Sequence, residues 1–307
     1  MTPLASDAGG WPALVAAFLG GACVGSFLNV CIHRIPEDES IVRPGSRCPR
    51  CATPIAWYDN VPIVSWLVLG ARCRACRAPI PLRYPLVEAA TGGLAVAALA
   101  RFGASPHALV AFAFAAALLL VSVIDLDHRF IPDEVSLPGI GVGLAAAFIP
   151  DGIAPLDAAI GAAIGGGLLW AIAWGYEHAT GVEGMGFGDV KLLAMIGAFL
   201  GWQAIFSVIV LASITGSLAG FAVAMVEGGG RRGRRVAQTL GVGALPTFAR
   251  RTARRTAIPF GPFLALGALV CLFAPGPWTP GPTRLSSADA LSASRCSSAR
   301  CSCSARR

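Results

Sequence analysis

The chain has 307 residues, 55% of them hydrophobic and 13% charged, with a mean hydropathy of +0.67. Soluble domains carry about 25% charged residues, so this composition excludes an ordinary soluble globule and points to an integral membrane protein. The formal charge of +7 does not signal a nucleic-acid partner, because the arginines are sorted by side of the membrane.

A helix crossing the hydrocarbon needs about 20 mostly apolar residues. Apolar runs lie at 11–32, 86–102, 107–124, 135–150, 156–175, 190–201, 203–226 and 258–274, the sixth being the weakest. They predict an all-α, polytopic transmembrane helix bundle of about eight spans. Asp7 and the lack of a basic residue in the first ten argue against a cleaved signal, so the first run reads as a retained span. Basic residues near spans stay cytoplasmic. Arg34, Arg43, Arg47, Arg50, Arg72, Arg74, Arg77 and Arg83 place the loop 33–85 inside. Arg231, Arg232, Arg234, Arg235, Arg250, Arg251, Arg254 and Arg255 do the same for 227–257. An outside N-terminus satisfies both, puts 125–134 and 176–189 on the inner face, and leaves the turns near 103–106 and 151–155 outside.

The expected organisation is a first transmembrane helix (1–32), a cytoplasmic loop (33–85), a transmembrane core (86–275) and a Ser/Ala/Arg-rich tail (276–307) expected to be disordered. Cys296, Cys301 and Cys303 of the tail read as incidental. No internal repeat suggests a transporter built from two related halves. Gly20, Gly21, Gly25, Ser26 and Asn29 of the first run read as positions that permit close helix packing. Glu37, Asp38 and Glu39 read as a solvated acidic turn, and Glu88 as a carboxylate paired within the bundle.

The loop carries "CPRC" (Cys48, Cys51) and "CRAC" (Cys73, Cys76), with 21 residues between the pairs. This spacing suits a four-thiolate zinc site: each CxxC turn presents two sulfurs, and two turns complete a tetrahedron. A loop of this size buries too little apolar surface for its own core, so a metal would hold it together. Disulfides are the competing reading, and a cytoplasmic location opposes them. Redox chemistry is weaker still, since no βαβ pattern surrounds either pair. Four thiolates leave no open position, so the metal would be structural. Cys23, Cys31 and Cys271 lie in apolar runs and read as small packing residues.

Carboxylates at membrane spans are costly and often functional. Asp125 follows the apolar run ending at Ile124, and Asp189 precedes the run beginning at Val190, so two carboxylates reach one face at similar depth. Asp127, His128 and Arg129 lie further out and read as an ordinary solvated loop. Before Asp189 stands "GMGFGD", in which Gly184, Gly186 and Gly188 strip the backbone of side chains and would admit an extended peptide. A nucleotide loop fails on spacing and on the lack of a preceding strand. A flexible turn with Asp189 as a helix N-cap remains open from this stretch alone. Lys191 would orient a backbone carbonyl or a lipid phosphate, or simply snorkel to the interface.

The sequence resembles the type IV prepilin peptidases, bacterial inner-membrane aspartyl proteases of the GxGD class. The resemblance runs from about residue 20 to 275 through ordered blocks: "GSFLNVCIHRIP" (25–36), "CPRC", "NVPIVSWL" (60–67), "CRAC", "RYPLVE" (83–88), "IDLDHRFIPD" (124–133), "GMGFGDVKLL" (184–193) and "IPFGPFLALG" (258–267). It implies a multi-pass protein of the inner membrane whose active site faces the cytoplasm. The implied reaction cleaves the basic leader from type IV prepilins or type II secretion pseudopilins, then methylates the new N-terminus with S-adenosylmethionine. Asp125 and Asp189 match the family's catalytic aspartates, and the four loop cysteines match its bifunctional members. No nucleotide-binding motif marks a methyl-donor pocket. The rival classes are an ion-coupled transporter using the two boundary carboxylates, and a membrane scaffold with a zinc-held loop. The position of both carboxylates at span ends, rather than mid-membrane, disfavours the transporter.

Overall fold

The structure is a computed structural model, and it describes residues 10–150, 152–181, 186–228 and 259–274. Gly184, nearly all of the 227–257 loop and the tail 276–307 lie outside the described residues. The described chain is helical, without strands, in the order α1 (Gly10–Arg34), α2 (Val64–Val68), α3 (Arg83–Phe102), α4 (Pro106–His128), α5 (Asp133–Ala146), α6 (Pro155–Thr180), α7 (Phe187–Leu200), α8 (Trp202–Gly228) and α9 (Gly261–Phe273).

Every apolar run read from the sequence is a helix. Five of them, α1, α3, α4, α6 and most of α8, are long and apolar enough to cross a bilayer. At 14, 14 and 13 residues, α5, α7 and α9 fall short of the roughly 20 a full crossing requires. The architecture is therefore that of a multi-pass bundle that combines full-length helices with shorter ones. Trp11, Leu19, Leu109, Phe206 and Phe221 are exposed on the outer faces, as lipid-facing positions should be.

Local sequence explains where the helices begin and end. Ser105 caps α4, its hydroxyl accepting from the Ala108 N–H, and Pro106 supplies the fixed φ of a first helical residue. The same helix closes on Arg129, whose backbone is left-handed and whose N–H donates to the Asp125 carbonyl. Pro155 opens α6 and Gly181 closes it with φ of 69°.

Two side-chain contacts sort the turns by end. His107 Nε2 lies 2.6 Å from the Pro150 carbonyl oxygen, and Trp202 Nε1 donates to Asp157 at 3.2 Å. The turns near 105, 150 and 201 therefore gather at one end of the bundle. Since the helices alternate in direction, the ends near Asp125, Gly186 and Gly261 gather at the other.

The core surrounds α7. Leu192, Leu193, Met195, Ile196 and Ala198 are fully buried, so this helix is apolar on all sides and is walled by α5, α6, α8 and α9. The weakest apolar run in the sequence is thus the central helix. Its closest neighbour is α6: a Cβ on Gly161 would collide with the Gly197 carbonyl, and one on Gly197 with the Gly161 carbonyl. Close approach of this kind substitutes dispersion contacts for the hydrophobic drive that lipid removes. The pair α1 and α3 repeats the device, with Gly21 against Ala95 and Thr91 and Gly25 against Glu88. Gly20 differs from the reading above, having open space around it. Cys31 and Cys271 are buried as expected of packing residues, whereas Cys23 is exposed.

A methyl group at Gly197 has no room, so Gly197→Ala should lower the thermal stability of the detergent-solubilised protein by the equivalent of about 1–3 kcal/mol. Gly20→Ala should leave the melting temperature within experimental scatter. Equal effects of the two substitutions would remove the α6–α7 contact as a determinant of stability.

Candidate active site and metal centre

The cysteine loop is built from two copies of one turn. Residues 47–55 (RCPRCATPI) and 72–80 (RCRACRAPI) share the pattern RCxxCxxPI at an offset of 25, and their backbones hydrogen-bond alike. The Cys48 N–H donates to the Thr53 carbonyl, the Ala52 N–H to Cys48 and the Ile55 N–H to Ser46. The Cys73 N–H donates to Ala78, the Arg77 N–H to Cys73 and the Ile80 N–H to Ala71. Each turn passes through one residue with positive φ, Ala52 at 56° and Arg77 at 57°, and closes on a bridge, Arg47 to Pro54 and Arg72 to Pro79. The repeat lies within a single loop, far below the scale of whole spans on which a transporter's halves would repeat.

The two turns bring the Sγ atoms of Cys48, Cys51, Cys73 and Cys76 within 4.8 Å of one another. Sulfurs at about 2.3 Å from a tetrahedral zinc stand roughly 3.8 Å apart, and Cys48 and Cys76, from different turns, are separated by 3.8 Å. A disulfide would need about 2.05 Å. The donor set and its spacing therefore fit zinc. The Thr53 hydroxyl, 3.3 Å from Cys51 Sγ, and then the Thr53 N–H favour the thiolate and pull Cys51 down to about 6. Cys76 is pushed up to about 11: the Ala78 N–H works the other way, but desolvation and the neighbouring thiols outweigh it.

The loop is tied to the bundle at two points, and α1 to the first turn of α3 at a third. Arg34, buried at the end of α1, donates to the carbonyls of Ser40 at 2.9 Å, Pro44 at 2.7 Å and Gly45. Glu88 of α3 accepts from the Ile63 N–H of the loop at 2.7 Å and from Ser26 of α1. The Asn29 Nδ2 donates to the Tyr84 carbonyl at 3.1 Å. Between loop, α1 and α3 lies a cavity of about 1250 Å³.

At the same end of the bundle stand the two aspartates. Asp125 is not beyond its helix but inside the last turns of α4, and it is buried. Asp189 is not the N-cap of α7; Gly186 holds that position, and Asp189 is the third helical residue. The first turn of a helix offers unpaired N–H groups and a positive field, which suits a carboxylate. Asp125 receives the same treatment from another element: the Gly261 N–H, at the start of α9, donates to its Oδ2 at 3.1 Å. One shared neighbour brings the two segments together: Ile131 meets both Gly188, which precedes Asp189, and Gly261, which touches Asp125. Two helix N-termini, α7 and α9, thus converge on an acid pair.

Gly188 and Gly261 make this convergence possible. A Cβ on Gly261 would stand 2.5 Å from Asp125 Oδ2 and 3.3 Å from Ile131 Cδ1, and one on Gly188 would stand 2.9 Å from Ile131 Cβ. Ile131, from the α4–α5 turn, fills the room these glycines leave. Gly186 faces open space, and Gly184 lies outside the described residues. Sequence reasoning assigned no role to Ile131 or Gly261. A Gly-Pro at the head of an apolar run, the mark of a helix start, was the available signal for Gly261.

Two ion pairs flank the acid pair. Lys191 meets both oxygens of Asp133 at 2.7 Å and lies 5.3 Å from the Phe187 ring centroid, so a carboxylate holds it rather than a carbonyl or lipid phosphate. Asp127 sits in the last turn of α4, not in a solvated loop, and forms an ion pair with Arg83 at the start of α3.

Comparisons with known proteins identify the family. The bacterial peptidase A24 N-terminal domain matches residues 19–102, and the type IV leader peptidase family matches residues 112–221. A prepilin leader peptidase/N-methyltransferase of Myxococcus xanthus (strain DK1622) is 39% identical over 309 residues, covering 86% of this chain and 90% of the relative. Proteins of the same name are 38% identical in Burkholderia pseudomallei (strain 1026b), covering 85% of each chain, and 35% identical in Aeromonas hydrophila, covering 85% of this chain and 91% of the relative. No solved structure matches the chain. With relatives of this identity aligned along most of its length, the chain belongs to the type IV leader peptidase family.

Proposed function

We propose that this chain is a membrane aspartyl endopeptidase that removes the basic leader of type IV prepilins or type II secretion pseudopilins, with Asp125 and Asp189 as its catalytic pair. The observation that supports the reading is the placement of these two carboxylates at one end of the bundle, at the heads of α7 and α9. Two neighbouring carboxyl groups do not both ionise readily, so they share a proton. The ionised member takes a proton from water as its oxygen attacks the scissile carbonyl carbon. The protonated member donates to the carbonyl oxygen. Collapse of the tetrahedral adduct breaks the C–N bond, and the departing nitrogen takes up the proton. The Gly261 N–H occupies one oxygen of Asp125 and fixes the rotamer, which leaves the second oxygen for the reaction. The pair titrates as a unit, and either member can fill either role.

The same reading includes methylation of the new N-terminal amine, as the names of the relatives indicate. S-adenosylmethionine supplies the electrophilic methyl group when bound. The chain's part would be to hold the new N-terminal amine, in its neutral form, beside the donor and to release its surplus proton to solvent. Cys48, Cys51, Cys73 and Cys76 would hold one zinc whose role is to fold the loop. The protein resides in the bacterial inner membrane, in contact with lipid, with the acid pair and cysteine loop facing the cytoplasm; the arginines of 33–85 support that orientation. Family membership gives no support to an ion-coupled transporter.

Asp125→Asn and Asp189→Asn should each reduce prepilin cleavage in detergent by at least about 100-fold, since an amide cannot exchange the proton. The double variant should be no worse than either single one. Asp127→Asn, which loosens the Arg83 ion pair, should keep most of the activity. Wild-type rates in both dyad variants would eliminate the protease reading.

Metal content and thiol reactivity give a second test. Purified protein should carry one zinc, and all four loop cysteines should resist alkylation. After chelation at pH 7, Cys51, whose lowered pKa leaves it largely thiolate, should react first and Cys76 last. Equal rates at the four positions, or no bound metal, would contradict the site.

Reporter fusions test the orientation. Fusions at Gly103 and Gly152 should both read periplasmic. A cytoplasmic signal at either would invert the bundle or break the alternation of its helices.

A further inference from the structure

The cavity between the cysteine loop, α1 and α3 has no part in peptide cleavage as derived above, yet its walls are chemically specific. Its volume of about 1250 Å³ exceeds the roughly 300–1,000 Å³ typical of small-molecule sites. It therefore has room for a nucleoside-sized ligand and for the end of a peptide chain. Asn29 and Glu88 line it, and both are more than nine-tenths buried. The Asn29 amide spends its Nδ2 on the Tyr84 carbonyl, while its Oδ1 is buried without a hydrogen-bond partner. Buried acceptors are nearly always satisfied, so one left unpaired beside a cavity calls for a donor. Glu88 commits one oxygen to the Ile63 N–H and brings a carboxylate to the cavity wall. Trp66, its indole N–H tied to the Ile80 carbonyl at 3.1 Å, adds an aromatic surface, and Arg43 adds a guanidinium.

Resting on the methyltransferase half of the proposed function, we propose that this cavity is the methyl-donor site, and that Asn29 and Glu88, from the membrane helices rather than the loop, are its polar anchors. A sulfonium nucleoside presents the complementary groups. Its cationic centre and ammonium suit the Glu88 carboxylate, and its N–H and O–H groups supply the donor that Asn29 Oδ1 lacks. Its carboxylate matches Arg43, and its purine has Trp66 to lie against. The location also suits the order of events. Tyr84, on the cavity wall, adjoins Arg83, which is paired with Asp127 only two residues beyond Asp125. The first turn of α3 therefore borders both sites, and a freshly cut N-terminus has one helix end to pass.

Equilibrium dialysis of radiolabelled S-adenosylmethionine against the detergent-purified full chain tests this directly. The wild type should bind one donor, and Asn29→Leu and Glu88→Gln should each weaken binding at least tenfold while zinc content and elution volume stay as in the wild type. Unchanged binding in both variants, with a wild type that binds and methylates, would overturn the site and leave the proposed function standing. A wild type that cleaves prepilin but neither binds donor nor methylates would overturn both the site and the methyltransferase half of that function. Should the variants lose their metal or aggregate, ultraviolet crosslinking of the donor to the wild type decides. Label in peptides covering 26–34, 58–66 or 80–88 supports the site, and label found only elsewhere overturns it.

Discussion

The active end of this protein depends on one side chain standing where two glycines leave it space. Ile131 packs against Gly188 at the head of α7 and against Gly261 at the head of α9, while Gly261 also presents its N–H to Asp125. Three elements far apart in sequence meet there at van der Waals distance. Any Cβ on Gly261 would fall upon the Asp125 carboxylate, and any on Gly188 would push Ile131 away. The acid pair is thus positioned by backbone and by apolar packing, with ion pairs arranged around it rather than within it.

The rest of the bundle keeps that junction rigid. The Gly161–Gly197 contact fixes α7 against α6, and the burial of α7 on every side prevents it from rotating. Lys191 bonds α7 to Asp133 at the start of α5, and Arg83 bonds α3 to Asp127 at the end of α4. These two bridges tie adjacent helices around the acid pair. Neither is buried, and exposed pairs contribute little to folding stability. Their value is in register.

Much of this was legible in the sequence, and the reason differs for each part. The apolar runs located the helices because lipid demands continuous hydrophobicity, and CxxC spacing located the thiol cluster because one tight turn has one reach. Asp125 and Asp189 were legible as rare charges at run boundaries. What the runs could not convey was depth within the bundle. The run 190–201 looked weakest because it is short, yet shortness is what a helix shielded from lipid can tolerate. Helix ends were misjudged for a related reason. Polarity marks where lipid stops, not where backbone hydrogen bonding stops, so α4 continues through Asp125 and Asp127 to His128, and α7 starts ahead of Asp189. The cavity beside Asn29 was illegible, since its walls come from α1, the loop and α3, whose packing no local pattern conveys.

The brevity of α7 has a consequence for where the chemistry takes place. Fourteen residues at 1.5 Å each extend about 21 Å, against a hydrocarbon thickness of about 30 Å. With its far end held at Gly201 beside Trp202 and Asp157, the helix stops well short of the opposite headgroups. Asp125, near the inner end of the full-length α4, sets the level of Asp189, so the shortfall of α7 lies toward the outer face. A peptide bond flanking an apolar segment is met near the inner headgroups, with the segment still dissolved in lipid. The enzyme meets its substrate where water already reaches, and the apolar segment need not leave the bilayer.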